Sequence, residues 1–271
     1  MGESVLKILS LGAGVQSTTL ALMAARGDIA PPDCAIFADT QWEPAAVYRH
    51  LDWLVGQLPF PVYRVTSGNI RSDIIAGQTT RMGRFSAVPW FLRMPDGKAG
   101  MGRRQCTAHY KLEPIRREVR RLLGVGPRQY VRPGAVEMWI GISSDEAHRA
   151  KPSRRRYIVN VHPFLDMRVS RGRCLSWLAE RQYPRPPKSA CVCCPFHSDD
   201  QWDELTPDER ADANMVDGLL RDGGSARGIR GQQFMHRSLK PLADIDFAAL
   251  VARGNRQADL FGNECEGMCG V

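Results

Sequence analysis

Cysteines offer the clearest chemistry in this sequence of 271 residues, which contains eight of them. Cys34, in the apolar run CAIFA, and Cys174, in a helical pattern, are predicted to be small core residues. The others stand beside turn or charged residues, where a core thiol is not expected; they are Cys106, Cys191, Cys193, Cys194, Cys265 and Cys269. We therefore expect this second group to bind a metal or to react.

Two of these cysteines have the spacing of a metal-binding turn. The thiolates of Cys191-x-x-Cys194 can bind one metal centre, whereas Cys193 between them is expected to point elsewhere. Cys106 follows two arginines, whose positive charge favours the thiolate. Spacing alone leaves a structural zinc site, an iron–sulfur cluster and redox-active thiols open. Further candidate ligands are His197 and His236, although a lone histidine more often forms ordinary hydrogen bonds.

A second region with chemical potential is SLGAGVQSTTL, residues 10–20, which joins one apolar run to the next. A strand, a glycine-containing turn and a helix start can cradle an anion, because the first N–H groups of a helix lack intrahelical acceptors. Ser17, Thr18 and Thr19 add hydroxyl donors. The stretch is neither GxGxxG nor GxxxxGK[ST]. A phosphate cradle and an ordinary capped turn both remain open.

The elements that position these residues follow from hydrophobic patterning. Strands are predicted over 5–11, 34–38, 61–66 and 136–143, and helices over 17–26, 44–58 and 111–123. This alternation predicts an α/β fold with a doubly wound, mainly parallel sheet, whose ligands bind beyond the carboxyl ends of the strands. Residues 77–105 are predicted to form a lid or substrate loop. We expect an α/β domain over 1–150 and a cysteine-rich helical extension, with little strand, over 151–271.

Composition and charge narrow the class of protein. No apolar run reaches the roughly 20 residues of a membrane span, and the sequence starts without a secretion-signal pattern. We expect a cytoplasmic protein without a membrane partner and without structural disulfides. The net charge is +8, and basic residues cluster at 103–104, 116–121 and 151–156. These clusters suit a nucleic acid or a nucleotide phosphate, or form a solvated surface.

Three segments together resemble the PP-loop ATP pyrophosphatase superfamily. SLGAGVQSTTL is similar to its phosphate loop, IFADTQWEP (36–44) to its second-strand segment, and WIGISSDEAHR (139–149) to a segment of phosphoadenosine phosphosulfate reductase-like proteins. The sequence looks closest to the iron–sulfur type of these proteins in phages and bacteria. The resemblance implies an adenine nucleotide alpha-hydrolase-like fold. It departs from the family pattern at Ala13, at Gln16, where aspartate is common, and at Ser143, where arginine is frequent.

The resemblance also implies roles for individual residues. ATP and Mg²⁺ are the implied cofactors, and the nucleotide-binding residues are Ser10, Gly12, Gly14, Gln16, Ser17, Thr18, Asp39 and Thr40. The implied catalytic residues are Asp39, Asp145, Glu146 and Arg149. For Asp145 and Glu146 the alternative is favourable charge at a helix N-terminus, which contributes about 0.3–1 kcal/mol each.

A [4Fe–4S] cluster is the metal centre that the resemblance implies, with Zn²⁺ as the alternative. Its ligands would be Cys106, Cys191, Cys194 and Cys269. Cys265 can replace Cys269 as the fourth ligand, or one iron can stay open for sulfur or substrate.

Three functions are consistent with this sequence. The leading hypothesis is an ATP-using enzyme that adenylylates, and transfers sulfur to, a nucleic acid or nucleotide, with a homodimer as a further expectation. The second is a sulfonucleotide (PAPS- or APS-like) reductase, which needs a nucleophilic cysteine such as Cys265 or Cys269. The third is a non-enzymatic nucleic-acid-binding protein with a structural metal. Trp90 and Phe91 are the predicted base-stacking residues.

Overall fold

The structure, a computed structural model, describes residues 4–77, 88–221 and 231–253. The strands are β1 (Leu6–Leu11), β2 (Cys34–Asp39), β3 (Val62–Thr66), β4 (Phe91–Arg93), β5 (Ala99–Met101), β6 (Val136–Ile140), β7 (Ile158–Val161) and β8 (Gln232–Phe234). The α-helices are α1 (Val15–Arg26), α2 (Ala45–Val55), α3 (Ile70–Ile75), α4 (Glu113–Leu122), α5 (Pro163–Asp166), α6 (Arg171–Glu180), α7 (Asp199–Asp203), α8 (Pro207–Arg221) and α9 (Phe247–Ala252).

A five-stranded parallel sheet forms the centre of the protein, with strand order β3-β2-β1-β6-β7. The chain moves outward from β1 to β3 and then returns to the other side of β1 with β6. The strand order therefore reverses between β1 and β6, which is where open α/β sheets bind ligands at the carboxyl ends of their strands. The predicted α/β fold with a mainly parallel sheet is confirmed.

Apolar side chains on the two faces of β1 explain why helices cover both sides of the sheet. Leu9 and Leu11 pack in one cluster with residues of α1, α2 and α6. Ile8 packs in another with Ile115 and Val119 of α4. Because side chains alternate along a strand, one buried strand supplies both layers.

A third apolar cluster joins the C-terminal region to the loops above the sheet. It includes Trp42 after β2, Val192 and Cys193 from the cysteine-rich segment, and Trp202 of α7. Helices α7 and α9 contact each other within this region, and Phe247 of α9 stacks on Trp202 with ring centroids 5.9 Å apart. The cysteine-rich segment is thus packed against the nucleotide-binding edge that the sequence predicts.

Several details differ from the sequence-based expectations. Helix α1 begins at Val15 and α4 at Glu113, after a π-helical turn over 107–112. The strand predicted over 136–143 ends at Ile140. The region after 150 also contributes two short strands, of which β7 joins the main sheet and β8 pairs with β4. Both strands are three or four residues long, too short to give a clear hydrophobic period.

The predicted lid or substrate loop at 77–105 is partly ordered into strands. Residues 78–87 lie outside the described residues, whereas β4 and β5 form an antiparallel pair. Trp90 is buried, which removes it as a base-stacking residue. The division at residue 150 stays a prediction. Of the described helices, none has both the length and the apolar character of a membrane span.

Candidate functional site

The turn after β1 has the backbone geometry of an anion site. Gly14 is the N-cap of α1 and provides no side-chain cap. The first intrahelical bond runs from the Thr18 N–H to the Gly14 carbonyl at 3.0 Å, so the N–H groups of residues 15–17 precede the helical ladder. Ser17 Oγ accepts a hydrogen bond from the Gly12 N–H at 3.2 Å. The turn therefore directs helical N–H groups and a partial positive charge beyond the sheet edge.

Two further features distinguish this turn from an ordinary helix start. Ala13 has φ = 57°, a left-handed conformation that costs an alanine about 1 kcal/mol or more. Ser10, at the end of β1, is 3% exposed, and its Oγ has no hydrogen-bond partner among the described residues. Backbone strain and an unsatisfied buried hydroxyl both occur preferentially at functional sites.

A glycine after β6 holds the first turn of α1 in place. A Cβ on Gly141 would lie 3.0 Å from the Ser17 nitrogen and 3.1 Å from the Gln16 carbonyl carbon. The backbone at Gly141 is therefore so close to the first turn of α1 that only glycine fits there unless one of the two segments moves. The WIGIS segment thus fixes the turn that the sequence identified separately.

Gln16, which replaces the expected aspartate, joins three segments of the chain. Its side-chain N–H₂ donates to Ser143 Oγ at 3.3 Å and to Glu146 Oε2 at 3.2 Å, and its Oε1 accepts from Arg171 at 2.9 Å. Arg149 forms an ion pair with the same Glu146 oxygen at 2.8 Å. Two guanidinium groups therefore lie beside the turn. Arg171 at the start of α6 was missed, because nothing in the sequence relates it to residue 16.

The other predicted residues of this edge have defined partners. Burial acts to raise the pKa of Asp145, but hydrogen bonds from Ser143 and the Arg171 N–H, at 3.0 Å for the latter, lower it below its usual value. Asp145 is thus an ionised carboxylate, and it positions Arg171 by accepting a hydrogen bond from its backbone N–H. Thr18 is fully buried, and its hydroxyl pairs with His50 Nε2 at 3.0 Å, so that hydroxyl anchors α1 to α2. Burial lowers the pKa of His50 to about 4, which keeps the ring neutral at pH 7.

Asp39 is the last residue of β2 and Thr40 follows it, at the same edge of the sheet as the turn after β1. Asp39 Oδ1 accepts hydrogen bonds from the Gln41 N–H at 2.7 Å and from the Tyr48 hydroxyl at 2.8 Å. The Thr40 hydroxyl donates to Glu43 Oε1 at 3.1 Å and lies 3.2 Å from Cys191 Sγ. Thr40 therefore connects the strand end to the cysteine-rich segment.

Four cysteines line one pocket beside this strand end. The pocket has about 440 Å³ of empty space, including the part open to solvent, and its lining includes Cys106, Cys191, Cys193, Cys194 and Thr40. The sequence analysis expected Cys193 to point away from the other cysteines, but in the structure it lines the same pocket. Burial raises the pKa of the Cys191 and Cys193 thiols well above the usual range, with a further contribution to Cys191 from the negative charge of Glu43. Both are neutral thiols at pH 7 when no metal is bound.

The cysteine side chains of this pocket are the ligand type that soft metals prefer, but they are not arranged around one metal position. Thiolates are ligands of zinc and of iron–sulfur clusters. Within the described ranges, however, no group of three or more cysteine, histidine or acidic side chains is arranged to hold one metal ion. Cys265 and Cys269, the predicted fourth ligands, lie outside the described residues.

A buried ion pair lies at the rim of the pocket. Lys111 Nζ is 3.7 Å from Glu43 Oε1, and the Glu43 side chain is 1% exposed. Cys191 Sγ donates to the same carboxylate oxygen at 3.6 Å. Neither Glu43 nor Lys111 was singled out in the sequence, because each resembles an ordinary charged residue of a helical segment.

The two histidines that the sequence raised as candidate ligands are both buried. His236 lies between Asp199, at 3.1 Å, and Ser238, at 2.8 Å, which agrees with the hydrogen-bonded alternative. Burial lowers the pKa of His197 to about 3, and its ring packs edge-on against Trp202 with centroids 4.7 Å apart.

One segment of the chain joins the turn at residues 12–17, the proposed phosphate turn, to the pocket lined by the four cysteines, the thiol pocket. A Cβ on Gly14 would lie 3.8 Å from the Cβ of Ser189. Two residues later, Cys191 reaches Thr40, and the Val192 N–H donates to the Trp42 carbonyl at 2.9 Å. Residues 189–192 therefore extend from the N-terminus of α1 to the end of β2, and both parts of the site share the carboxyl edge of the sheet.

Comparison with known proteins adds little to the fold and the site described above. No protein-family profile matches the chain, and no curated protein sequence matches it. Among solved structures, the chain is similar to phosphoadenylyl-sulfate (PAPS) reductase from Candida auris, in a phosphate complex, with a TM-score of 0.41 and 13% sequence identity. The match covers 68% of this chain and 76% of that chain. Similarity at this level supports no inference about function, which depends on the site itself.

Proposed function

We propose that this protein is an enzyme that binds a nucleotide by its phosphate groups and carries out chemistry at sulfur, with sulfonucleotide reduction as the reaction that the site favours. The observation that carries the proposal is the course of residues 189–192, which connects the phosphate turn at Gly14 to the thiol pocket at Thr40. A nucleotide bound at the turn would therefore lie at the same edge of the sheet as the cysteine side chains.

The charges around the turn support an anion bound by protein groups. Gln16, which carries no charge, stands where an aspartate is common in the family that the sequence resembles, and it is held by Arg171 and Glu146. Arg149 and Arg171 supply positive charge beside it, and the carboxylates of Glu146 and Asp145 hold these two arginines in place. Guanidinium groups neutralise phosphate and sulfate oxygens directly and in bidentate geometry. This arrangement favours a sulfonucleotide over a magnesium–triphosphate complex.

In the proposed reaction a cysteine thiolate attacks the sulfur of the sulfonucleotide. The bond from sulfur to the phosphate oxygen breaks, the nucleotide leaves as its phosphate, and the sulfonyl group stays on the cysteine. A second thiol then attacks this cysteine sulfur and releases sulfite with formation of a disulfide, which an external dithiol reduces. Backbone N–H groups of the turn hold the phosphate, and the two arginines stabilise the charge that develops as it leaves. The nucleophile that we propose is Cys265 or Cys269, the cysteines to which the sequence analysis gives this role; burial keeps Cys191 and Cys193 of the pocket protonated.

ATP-dependent sulfur transfer is the second candidate, and the convergence of thiols favours it. Cys106, Cys191, Cys193 and Cys194 line one pocket, and a [4Fe–4S] cluster or Zn²⁺ bound by three of them and a fourth ligand would supply electron transfer, sulfur binding or structural support. In this case Asp39, the last residue of β2, and Thr40, which follows it, would contact nucleotide or Mg²⁺.

Product analysis of anaerobically purified protein tests both candidates. Dithiol-dependent release of sulfite from PAPS or APS, lost in one of Cys265→Ser and Cys269→Ser, supports reduction. Formation of AMP or pyrophosphate from ATP instead supports the second candidate. Cys34→Ala, a substitution in the core, is the control for general effects of losing a thiol. Neither product, together with no binding of adenine nucleotides, would refute the proposal and leave a non-enzymatic role.

Iron, sulfide and zinc analysis of the same preparations separates the metal alternatives. Iron and sulfide in cluster proportions, lost in Cys106→Ala and in Cys194→Ala, would assign a cluster to these residues. Zinc without sulfide would make the site structural.

A further inference from the structure

A basic face lies on the α4 side of the central sheet, formed by α4 and residues 151–156. In sequence these two segments contain eight basic and two acidic side chains. Residues 154–156 are exposed. The basic members are Arg116, Arg117, Arg120, Arg121, Lys151, Arg154, Arg155 and Arg156. In the fold Arg116 and Arg120 lie beside residues 154–157, which joins the two clusters. On the far side of α4, Arg117 donates to Ser67 Oγ at 2.7 Å and Arg121 pairs with Glu118 at 2.6 Å.

Backbone hydrogen bonds fix this face to the sheet. The Arg155 carbonyl accepts from the Ile158 N–H at 2.9 Å, and the Arg156 carbonyl accepts from the Gly134 N–H at 3.0 Å. The Arg120 guanidinium lies 5.9 Å from the centre of the Tyr157 ring. Helix α4 and residues 154–157 are therefore in contact, and their charges have a defined arrangement.

Part of the charge on this face is not compensated by the protein. Arg116 is half-buried, and its Nε has no hydrogen-bond partner within the described part of the chain. Burial lowers the pKa of Arg116, and the nearby charges of Arg155 and Arg154 lower it further, against a smaller opposing effect of Glu113. An anion bound across these groups would relieve the repulsion between them.

An exposed aromatic ring stands beside the basic face. Tyr130 is 81% exposed, in a loop whose neighbouring residues include Arg128 and Arg132. Arg120 of α4 holds this loop by donating to the Gly126 carbonyl at 3.1 Å and to the Gln129 carbonyl at 2.7 Å. The ring is thus presented to solvent from a loop anchored to α4.

We propose that this face binds single-stranded nucleic acid, with the arginines on successive phosphates and Tyr130 stacked on an unpaired base. Seven of the eight basic residues are arginine, whose planar guanidinium binds phosphate in bidentate geometry. An exposed ring next to a basic groove is the usual platform for an unpaired base, whereas a base inside a duplex is not available for stacking. This inference does not depend on the proposed reaction.

Fluorescence anisotropy with a labelled single strand of about 12 nucleotides, and with the duplex of the same sequence, tests the proposal. We expect the single strand to bind more tightly. Tyr130→Ala should weaken its binding by about fivefold or more, since stacking contributes on the order of 1–3 kcal/mol per base. Tyr130→Phe should bind like the wild type because the ring is kept. Tyr130 is exposed, so neither change disturbs the core.

The salt dependence tests the arginines separately. Replacing Arg154 and Arg155 by glutamine should reduce the slope of log K against log salt by roughly 1.4, or about 0.7 per phosphate contact on a single strand. The control is Arg173→Gln, because Arg173 is exposed on α6 and pairs with Glu180 at 2.9 Å.

Three results would overturn the proposal. One is unchanged affinity in both Tyr130→Ala and the double arginine variant. Another is tighter binding of the duplex with no effect of Tyr130→Ala, which would indicate a non-specific polyanion surface. The third is equal affinity for phosphatidylserine vesicles with the same losses, which would indicate an anionic membrane. A variant at Gly14 that loses nucleotide binding but keeps the oligonucleotide would show that the two sites are separate.

Discussion

Replacing Gly141 by alanine is the most direct test of how the phosphate turn is held. The new Cβ would lie 3.0 Å from the Ser17 nitrogen and 3.2 Å from the Ser17 Cα. Both are backbone atoms, so no flexible side chain can move away to make room. The first turn of α1 must shift by a few tenths of an ångström, or the end of β6 must do so.

The size of the effect follows from two opposing contributions. Overpacking of this kind costs about 1–3 kcal/mol, while losing a glycine restricts the unfolded chain and returns about 0.4–1 kcal/mol. We expect a net destabilisation of about 1–2 kcal/mol, or roughly 2–8 °C in Tm for a protein of this size. The displaced N–H of Ser17 belongs to the proposed anion site. Losing one hydrogen bond to a charged group should weaken nucleotide binding by about tenfold or more.

Urea unfolding followed by circular dichroism measures the first effect, and calorimetric titration with adenosine 3′,5′-bisphosphate measures the second. The matched control is Gly218→Ala in α8, where a Cβ meets only the Arg221 guanidinium at 3.9 Å. That change should stabilise the helix by about 0.5–1 kcal/mol and leave binding unaltered. If Gly141→Ala is destabilised but binds normally, the turn is not the phosphate site. If both properties are unchanged, the close contact itself is refuted.

Three further predictions concern charge and backbone strain. Protonation of His50 should lower stability by about 3 kcal/mol as pH drops from 6.5 towards 4, because burial lowers its folded-state pKa from 6.5 to about 4 and the unfolded state binds the proton first; His197, whose pKa burial lowers to about 3, adds to the fall, and urea titrations should show a smaller loss in His50→Gln. Lys111→Met should cost about 3 kcal/mol by leaving Glu43 buried and unpaired, whereas the exposed Lys98 pairs with Asp96 at 3.0 Å and Lys98→Met should cost less than about 1 kcal/mol; equal costs would contradict the buried pair. Ala13→Gly relieves a φ of 57° and should leave Tm unchanged or raise it by a few degrees; a lower Tm would argue against strain there.

Local sequence patterns are enough to predict the elements of the fold and the residue types of the candidate site. The apolar runs of β1, β2 and β3, alternating with amphipathic helices, predict a parallel α/β sheet, because strand and helix periods are local properties. The glycines at 12 and 14 and the hydroxyls that follow predict a turn with free N–H groups, again from neighbours in sequence. The spacing of Cys191 and Cys194 alone predicts a thiol site.

Which of these residues meet depends on long-range contacts in the folded chain. Gln16 pairs with Arg171 and Gly14 lies against Ser189, although more than 150 residues separate the members of each pair in sequence. No local period records such contacts, since they arise from the strand order β3-β2-β1-β6-β7. The position of Cys193 in the thiol pocket also depends on long-range contacts, because it packs with Trp42 and Tyr110, which are distant in sequence. The exposure of Tyr130 beside α4 is likewise a property of the folded surface.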